Sequence, residues 1–156
     1  MKKILAVLFA ALMLVGTVAL ADTIEGWTDI PLNDISMQFS IPEDFTIAEL
    51  TDADYESGLA FSAENDHNLL QVYVVEDVGL TTYAAALNDE GFETIPNALV
   101  DSGLNFEHIF GANSDETQMV FCFVGADDWL YAYYWATDSE DGAELFGEVL
   151  GTIRSL

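Results

Sequence analysis

The sequence predicts an α+β fold in one domain: an antiparallel sheet built around a long hairpin, with an amphipathic helix near the end of the chain. Residues 117–136, TQMVFCFVGADDWLYAYYWA, read as two strands rich in β-branched and aromatic residues, joined by a link rich in Gly and Asp. Farther on, five apolar residues recur at helical spacing and form one face, Ala143, Phe146, Val149, Leu150 and Ile153. We expect the hairpin at the centre of the sheet, with this C-terminal helix packed on it.

The two arms of the hairpin differ in their patterns. The first arm is apolar on both faces, which is typical of a central strand that is covered on both sides. In the second arm, alternation places four aromatic side chains on one face, Trp129, Tyr131, Tyr133 and Trp135. This aromatic ladder would serve either as core beneath another layer or as a platform for a sugar or a partner. We favour the core interpretation, because strand aromatics mostly supply packing area.

The other elements are predicted from shorter patterns, after an irregular lead-in at residues 22–34. Further strands are expected at residues 37–41, 58–63, 69–75 and 103–111. Residues 45–50 are expected to pair with the first of these as a hairpin. A helix is expected to begin near Thr81 and to stop at Gly91, because Thr favours helix starts and Gly favours helix ends.

The first 21 residues have the features of a secretory signal peptide. Lys2 and Lys3 supply a positive start, an apolar run follows, and Ala19-Leu20-Ala21 has the small-residue pattern of a cleavage site. The apolar run is at the short end for a membrane span, so cleavage near Ala21 is favoured over anchoring. We therefore expect a soluble, secreted or periplasmic protein.

The chain is strongly acidic. It has 28 Asp and Glu against 3 Lys and Arg, a formal net charge of −25, and Arg154 is the only Lys or Arg after residue 3. Such a chain lacks the cations that neutralise phosphates, so neither nucleic acid nor an anionic membrane surface is expected as a partner. An unknown protein or small-molecule partner is expected instead. Arg154 falls near the negative end of the final helix, where the helix dipole favours a cation.

The segment Met37-Gln38-Phe39-Ser40-Ile41-Pro42-Glu43-Asp44-Phe45 resembles the opening of bacterial secreted PsbP-like proteins. The elements that follow, a strand pair, a short helix, a long meander and a final helix, are similar in order. The family takes its name from an extrinsic subunit of photosystem II, and its fold also occurs in a nuclear-transport protein that binds Ran. The resemblance implies an α/β/α sandwich around the antiparallel sheet at residues 35–156. It carries no catalytic motif and no metal-ligand pattern onto this sequence.

Calcium is the metal that the sequence favours most. Asp52, Asp54 and Glu56 stand at alternate positions in an acidic loop, as at the start of a calcium-binding loop. The glycine and the final glutamate of such a loop are missing, so we expect at most calcium binding by charge density. The spacing of the two histidines indicates neither a zinc nor an iron site, and no cofactor besides calcium is expected.

Catalytic signals are few. Cys122, the only cysteine, and His108 would share a face of the sheet if the strands pair about a turn near Ser114, with His108 opposite Val120. Nothing indicates an oxyanion hole, and phosphate-binding loops and a nucleophile elbow are absent. We therefore expect a buried, inert thiol and no enzyme.

These patterns favour an exported, non-enzymatic binding or accessory protein. Its expected contact surfaces are the carboxylate segment at residues 52–56, the turn at residues 64–68, and the end of the hairpin with Asp127, Asp128, Trp129 and Tyr131. The first alternative is a calcium-responsive accessory protein that uses the same carboxylates. The second is an unrecognised hydrolase near His108.

Overall fold

The computed structural model describes residues 24–156, and the expected signal peptide at residues 1–21 lies outside them. The strands are β1 (Trp27–Leu32), β2 (Met37–Pro42), β3 (Thr46–Ile47), β4 (Leu59–Glu64), β5 (Asn68–Val75), β6 (Glu93–Pro96), β7 (His108–Ala112), β8 (Gln118–Val124), β9 (Leu130–Thr137) and β10 (Arg154–Ser155). The α-helices are α1 (Asp52–Glu56), α2 (Leu80–Asp89) and α3 (Gly142–Gly151), with 3-10 turns at Asn33–Ile35 and Val100–Ser102. Within the described residues, no helix is both long and apolar enough to cross a membrane.

Seven strands form one antiparallel sheet in the order β3-β4-β5-β9-β8-β7-β6. The predicted hairpin is confirmed as β8 and β9, which pair from Gln118↔Ala136 to Val124↔Leu130 near the middle of the sheet. β5 pairs with the other side of β9 along its whole length. The expected strands at residues 58–63 and 69–75 are confirmed as β4 and β5.

Both faces of the large sheet are covered, which confirms the α+β class and the α/β/α arrangement. One face packs against α3 and a smaller sheet, and α3 contributes Phe146, Val149 and Leu150, all fully buried. The opposite face packs against α2 through a second apolar cluster that includes Leu87 and Cys122. The first arm of the hairpin is apolar on both sides because it has a covering layer on each.

The aromatic ladder points into the layer that α3 and the smaller sheet cover. Tyr131, Tyr133 and Trp135 are buried in the larger cluster, where the Trp135 ring stacks on Phe146 with 5.1 Å between ring centroids. The core interpretation is therefore confirmed for these three rings. Trp129 precedes β9 and remains 42% exposed, so it departs from the ladder.

The smaller sheet, in the order β1-β2-β10, joins the two ends of the described chain. β1 pairs with β2 from Trp27↔Pro42 to Leu32↔Met37, and β10 pairs with the other side of β2. The irregular lead-in expected at residues 22–34 is thus wrong for Trp27–Leu32. Asp29 and Pro31 obscure this strand in the sequence, and they are tolerated because β1 is an edge strand.

Two other expectations about strands are corrected. Residues 45–50 are not the hairpin partner of β2, whose two sides are occupied by β1 and β10, and Thr46–Ile47 pairs with β4 instead. The strand expected at residues 103–111 begins only at His108, because Gly103 ends the preceding 3-10 turn with a φ of +97° and residues 104–107 are irregular. The helix expected near Thr81 is confirmed as α2, although Gly79 occupies its N-cap.

Candidate ligand-binding cleft

A cleft of about 730 Å³ lies at one end of the large sheet. Its walls come from the end of β1 and the 3-10 turn after it, the end of α1, the start of β4, the end of β5 and the residues that lead into β9. Ligand sites in proteins typically have volumes of about 300–1,000 Å³. The size of this cleft is therefore compatible with a small molecule or a short stretch of another chain.

Two aromatic side chains at the cleft are open to solvent. Tyr55 of α1 is 61% exposed and Trp129 is 42% exposed. A third ring, Tyr131, lines the same cleft but is only 3% exposed. Rings with an apolar body and a polar tip are common where proteins contact ligands and partners. Tyr55 and Trp129 thus supply exposed aromatic surface in this cleft.

Asp127 fixes the turn that carries Trp129 and Tyr131. Its Oδ1 accepts a hydrogen bond from the Trp129 backbone N–H at 3.1 Å, and its Oδ2 accepts one from the Tyr131 hydroxyl at 2.7 Å. Burial, the hydrogen bond to Asp127 and the nearby charges of Asp127 and Asp34 all raise the pKa of Tyr131. Asp127 therefore positions the rings, whereas Asp128 is exposed at the turn, with a φ of +66°, and does not line the cleft.

A capping box holds α1 in place. The Thr51 backbone N–H and hydroxyl each donate to Asp54 Oδ2 at 2.7 Å, and the Asp54 N–H donates to Thr51 Oγ1 at 3.4 Å. The backbone hydrogen bond from Thr51, followed by the one from its hydroxyl, lowers the pKa of Asp54. The acidic loop expected here is therefore wrong, because the Thr-x-x-Asp pattern caps a short helix. This helix carries Tyr55 and Glu56 to the cleft.

The three residues proposed for calcium have separate surroundings. Asp54 is engaged in the cap of α1, Glu56 lines the cleft, and Asp52 is exposed in the first turn of the helix. Among the residues that the structure describes, no group of three or more His, Cys, Asp or Glu is arranged to hold a metal ion. Side chains at alternate positions share one side of an extended chain but not of a helix. The three carboxylates therefore lose the common side that an extended loop would give them.

Cys122 and His108 lie on opposite faces of the sheet, which overturns the expected pair. His108 is opposite Phe123 rather than Val120, and Cys122 is opposite Ile109. The His108 ring is buried and its two nitrogens are engaged within the fold. Nε2 accepts from the Leu99 N–H at 2.8 Å, and Nδ1 lies 2.9 Å from the Phe106 carbonyl oxygen. His108 is thus a buried structural residue.

The carboxylates of the cleft include two that the sequence analysis missed. Asp34 comes from the 3-10 turn after β1 and Glu76 follows β5, and both line the cleft together with Glu56. No local pattern distinguishes them, because the three residues meet only through the pairing of distant strands. Gly58, just before β4, is the one residue of the cleft whose type in the sequence points to its local structure. Its φ is +86°, and a Cβ there would lie 2.7 Å from the Val74 carbonyl oxygen. This close approach of β4 and β5 requires glycine at the wall of the cleft.

The turn at residues 64–68 forms a different surface. It contributes to two further clefts of about 430 and 410 Å³, and neither is lined by Phe, Tyr or Trp. His67 Nδ1 lies 2.9 Å from Asp138 Oδ1 there, with both side chains largely exposed. The contact surface expected at residues 64–68 is therefore separate from the cleft that Tyr55 and Trp129 line.

Fold and site together define a small α+β domain with an open cleft that combines aromatic and acidic side chains. No protein-family model and no curated protein matches the sequence. Among solved structures, the chain is similar to the solution structure of cyanobacterial PsbP (CyanoP) from Synechocystis sp. PCC 6803, with 11% sequence identity and a TM-score of 0.48. The similarity covers 89% of this chain and 100% of that one. It concerns the fold alone and agrees with the PsbP-like fold expected from the opening motif.

Proposed function

We propose that this protein is an exported, non-enzymatic binding or accessory protein and that the cleft between Tyr55 and Trp129 is its binding site. The main support is convergence. The segment 52–56 and the end of the hairpin are far apart in sequence and were expected as separate contact surfaces, yet residues of both line one cleft. Convergence of exposed rings in a concave site is typical of ligand and partner sites.

The way the rings are held supports the same conclusion. Asp127 bonds both the backbone before β9 and the Tyr131 hydroxyl, and the capping box fixes the helix that carries Tyr55. Groups fixed in advance lose less entropy when they bind. Single exposed apolar residues are common on proteins, whereas two rings held at one concavity favour a contact site.

Export is proposed from the positive start, apolar run and small-residue site of residues 1–21. We propose a non-enzymatic role because Cys122 and His108, the one nucleophile and base pair that the sequence suggested, lie on opposite faces of the sheet. The calcium-responsive alternative has less support, because Asp54 is committed to the cap of α1.

The experiment is an NMR titration of the purified, exported protein that follows the indole N–H signals. Trp129 is assigned with the variant Trp129→Phe, and the buried Trp135 serves as an internal control. The probes are maltose and three short peptides that differ only in carrying arginine, citrulline or glutamate. We expect at least one probe to shift the Trp129 signal saturably, to leave the Trp135 signal in place, and to be recovered chemically unchanged.

Tyr55→Ala is the matched variant, because Tyr55 lines the same cleft and is largely exposed. The variant should bind the same probe more weakly, and the rest of its NMR spectrum should remain that of a folded protein. If no probe shifts Trp129, or if Tyr55→Ala has no effect on binding, the cleft is not the site. A probe recovered in altered form would overturn the non-enzymatic assignment.

A further inference from the structure

The carboxylates of the cleft have no counter-charge from residues 24–156. Asp34, Glu56 and Glu76 are exposed residues that line it, and no Lys or Arg is among the described residues at its walls. Carboxylates gathered at one concavity concentrate negative potential there and attract cations. The cleft thus offers negative charge next to open aromatic faces.

Arg154, the only Lys or Arg among the described residues, is engaged elsewhere. Its Nη2 donates to Asp29 Oδ1 at 2.7 Å, and its Nη1 donates to Ser40 Oγ at 3.1 Å and to the Thr152 carbonyl at 2.9 Å. These contacts hold its side chain on the smaller sheet, where it reaches from β10 to Ser40 of β2 and Asp29 of β1. Among the residues that the structure describes, no Lys or Arg is therefore available to the cleft.

We propose that the cleft binds an arginine-containing segment of a partner protein. This inference rests on the proposed function and names the chemistry of its ligand. A guanidinium group is planar, stacks on aromatic faces, and donates to carboxylates through two parallel hydrogen bonds. Trp129 and Tyr55 supply the faces, and the carboxylates beside them supply the acceptors.

The edge of β4 favours a peptide over a free small molecule. β3 pairs with β4 at Ala63 and Glu64, and the Ala48 N–H bonds the Ser62 carbonyl, so the neighbouring segment covers the far end of β4. Leu59 and Ala60, at the near end, line the cleft, and Ala60 is the extra residue of a β-bulge between β4 and β5. A strand edge left without a neighbouring strand is a template for an extended segment, and its backbone hydrogen bonds add to the contacts of the side chains.

The test is calorimetric titration of the full, exported protein with the peptide acetyl-Gly-Gly-Arg-Gly-Gly-amide. The first comparator is the citrulline peptide, which keeps the planar shape and loses the charge. The second is acetyl-arginine-amide, which keeps the guanidinium and loses the extended backbone. The cleft variants are Glu56→Gln and Glu76→Gln. The matched controls are Asp101→Asn and Glu107→Gln, which make the same change in net charge at exposed positions outside the cleft.

We expect the citrulline peptide and acetyl-arginine-amide each to bind about tenfold more weakly than the arginine peptide, because each loses one class of contact. Each cleft variant should weaken the arginine peptide by about three- to tenfold, and each control by less than about twofold. Equal weakening by controls and cleft variants would mean attraction by net charge alone and would overturn the inference. Equal binding of acetyl-arginine-amide would overturn the assignment to a protein segment.

The two proposals fail in different ways. If the citrulline peptide or maltose binds at Trp129 as tightly as the arginine peptide, the inference falls and the binding cleft stands. If the arginine peptide and every other probe leave Trp129 unshifted, both fall. Loss of arginine-peptide binding in Trp129→Ala and Tyr55→Ala, with both variants folded, supports both.

Discussion

Arg154 Nη2 lies 2.7 Å from Asp29 Oδ1 and joins strands that are 125 residues apart in sequence. Ser40 is part of the same cluster, because its hydroxyl donates to Asp29 Oδ1 at 2.6 Å and accepts from Arg154 at 3.1 Å. The position of Arg154 near the end of α3 was attributed to the helix dipole. Its hydrogen bonds show instead that it connects β1, β2 and β10, a role that no local pattern of the sequence indicates.

The first prediction is that Asp29→Asn destabilises the protein even though it lowers the net negative charge. The variant weakens hydrogen bonds to Arg154 and Ser40, and the pair is partly exposed, so we expect a loss of roughly 1–2 kcal/mol in the free energy of unfolding. Urea unfolding at neutral pH measures it. Glu107→Gln, an exposed carboxylate, is the control and should be neutral or slightly stabilising, since it only reduces repulsion.

The same variant should change the response to acid. Hydrogen bonds from Ser40 and then Arg154 lower the pKa of Asp29 below its ordinary value of 3.8. The stability that Asp29 contributes is therefore present above about pH 4 and lost as the pH falls through the lowered pKa. Asp29→Asn should have a shallower loss of stability below pH 4 than the wild type. An identical slope in both would contradict the role of this carboxylate.

The second prediction concerns His108. Its Nε2 accepts from the Leu99 N–H, so a proton on this nitrogen would break that hydrogen bond. Burial lowers the pKa of His108 below 6.5, although its hydrogen bond with the Phe106 carbonyl acts in the opposite direction. Its contribution to stability should be complete above about pH 6.5 and decline as the pH falls below that value toward the lowered pKa.

His108→Gln isolates this effect, because a glutamine oxygen keeps an acceptor but does not titrate in this range. We expect the variant to be less stable than the wild type at pH 7.5 and to lose less stability between pH 7.5 and 5. Thermal melts over that range measure both.

The third prediction is that Cys122 does not react with a thiol reagent in the native protein. The residue is fully buried between β7 and β9, and burial raises the pKa of its thiol to about 12. A thiol with so little thiolate at neutral pH is a poor nucleophile. One thiol per chain should react in 6 M guanidinium chloride and almost none in native buffer. Fast modification of the native protein would revive the hydrolase alternative.

The fourth prediction is that calcium and sodium at equal ionic strength raise the melting temperature equally. The chain carries a large negative charge, so either salt stabilises it by screening. No three carboxylates of the described residues are grouped for a metal ion, so mass action should add nothing for calcium. A rise specific to calcium that disappears in Asp52→Asn or Glu56→Gln would contradict this prediction and support the calcium-responsive alternative.

The central hairpin and the helix α3 could be predicted because their patterns are local and long. Alternation over a full strand fixes which side chains share a face, as it does for Tyr133 and Trp135. The pairing of β7 with β8 could not be predicted, because it depends on the turn. Asn113 and Gln118 bond each other across a longer turn than expected, and this shifts the partner of His108 by three residues. An odd shift moves Cys122 to the other face.

The cleft was beyond a sequence-based prediction for a related reason. Its walls come from separate elements, and their meeting depends on which strand pairs with which. The sequence identified Glu56, Trp129 and Tyr131 as contact residues one segment at a time. It gave no sign of Asp34 or Glu76, which are ordinary surface carboxylates until β1 and β5 bring them to the same place.

The smaller sheet has a consequence for the order in which the protein folds. β2 lies between β1, which precedes it along the chain, and β10, which follows it only after all the strands of the large sheet, and the Leu156 N–H also bonds the Ser36 carbonyl at 2.9 Å. One side of β2 therefore stays unpaired until β10 has been made. An open strand edge is prone to join another chain. The smaller sheet closes only when Arg154 and Ser155 have been added and pair with Gln38 and Met37.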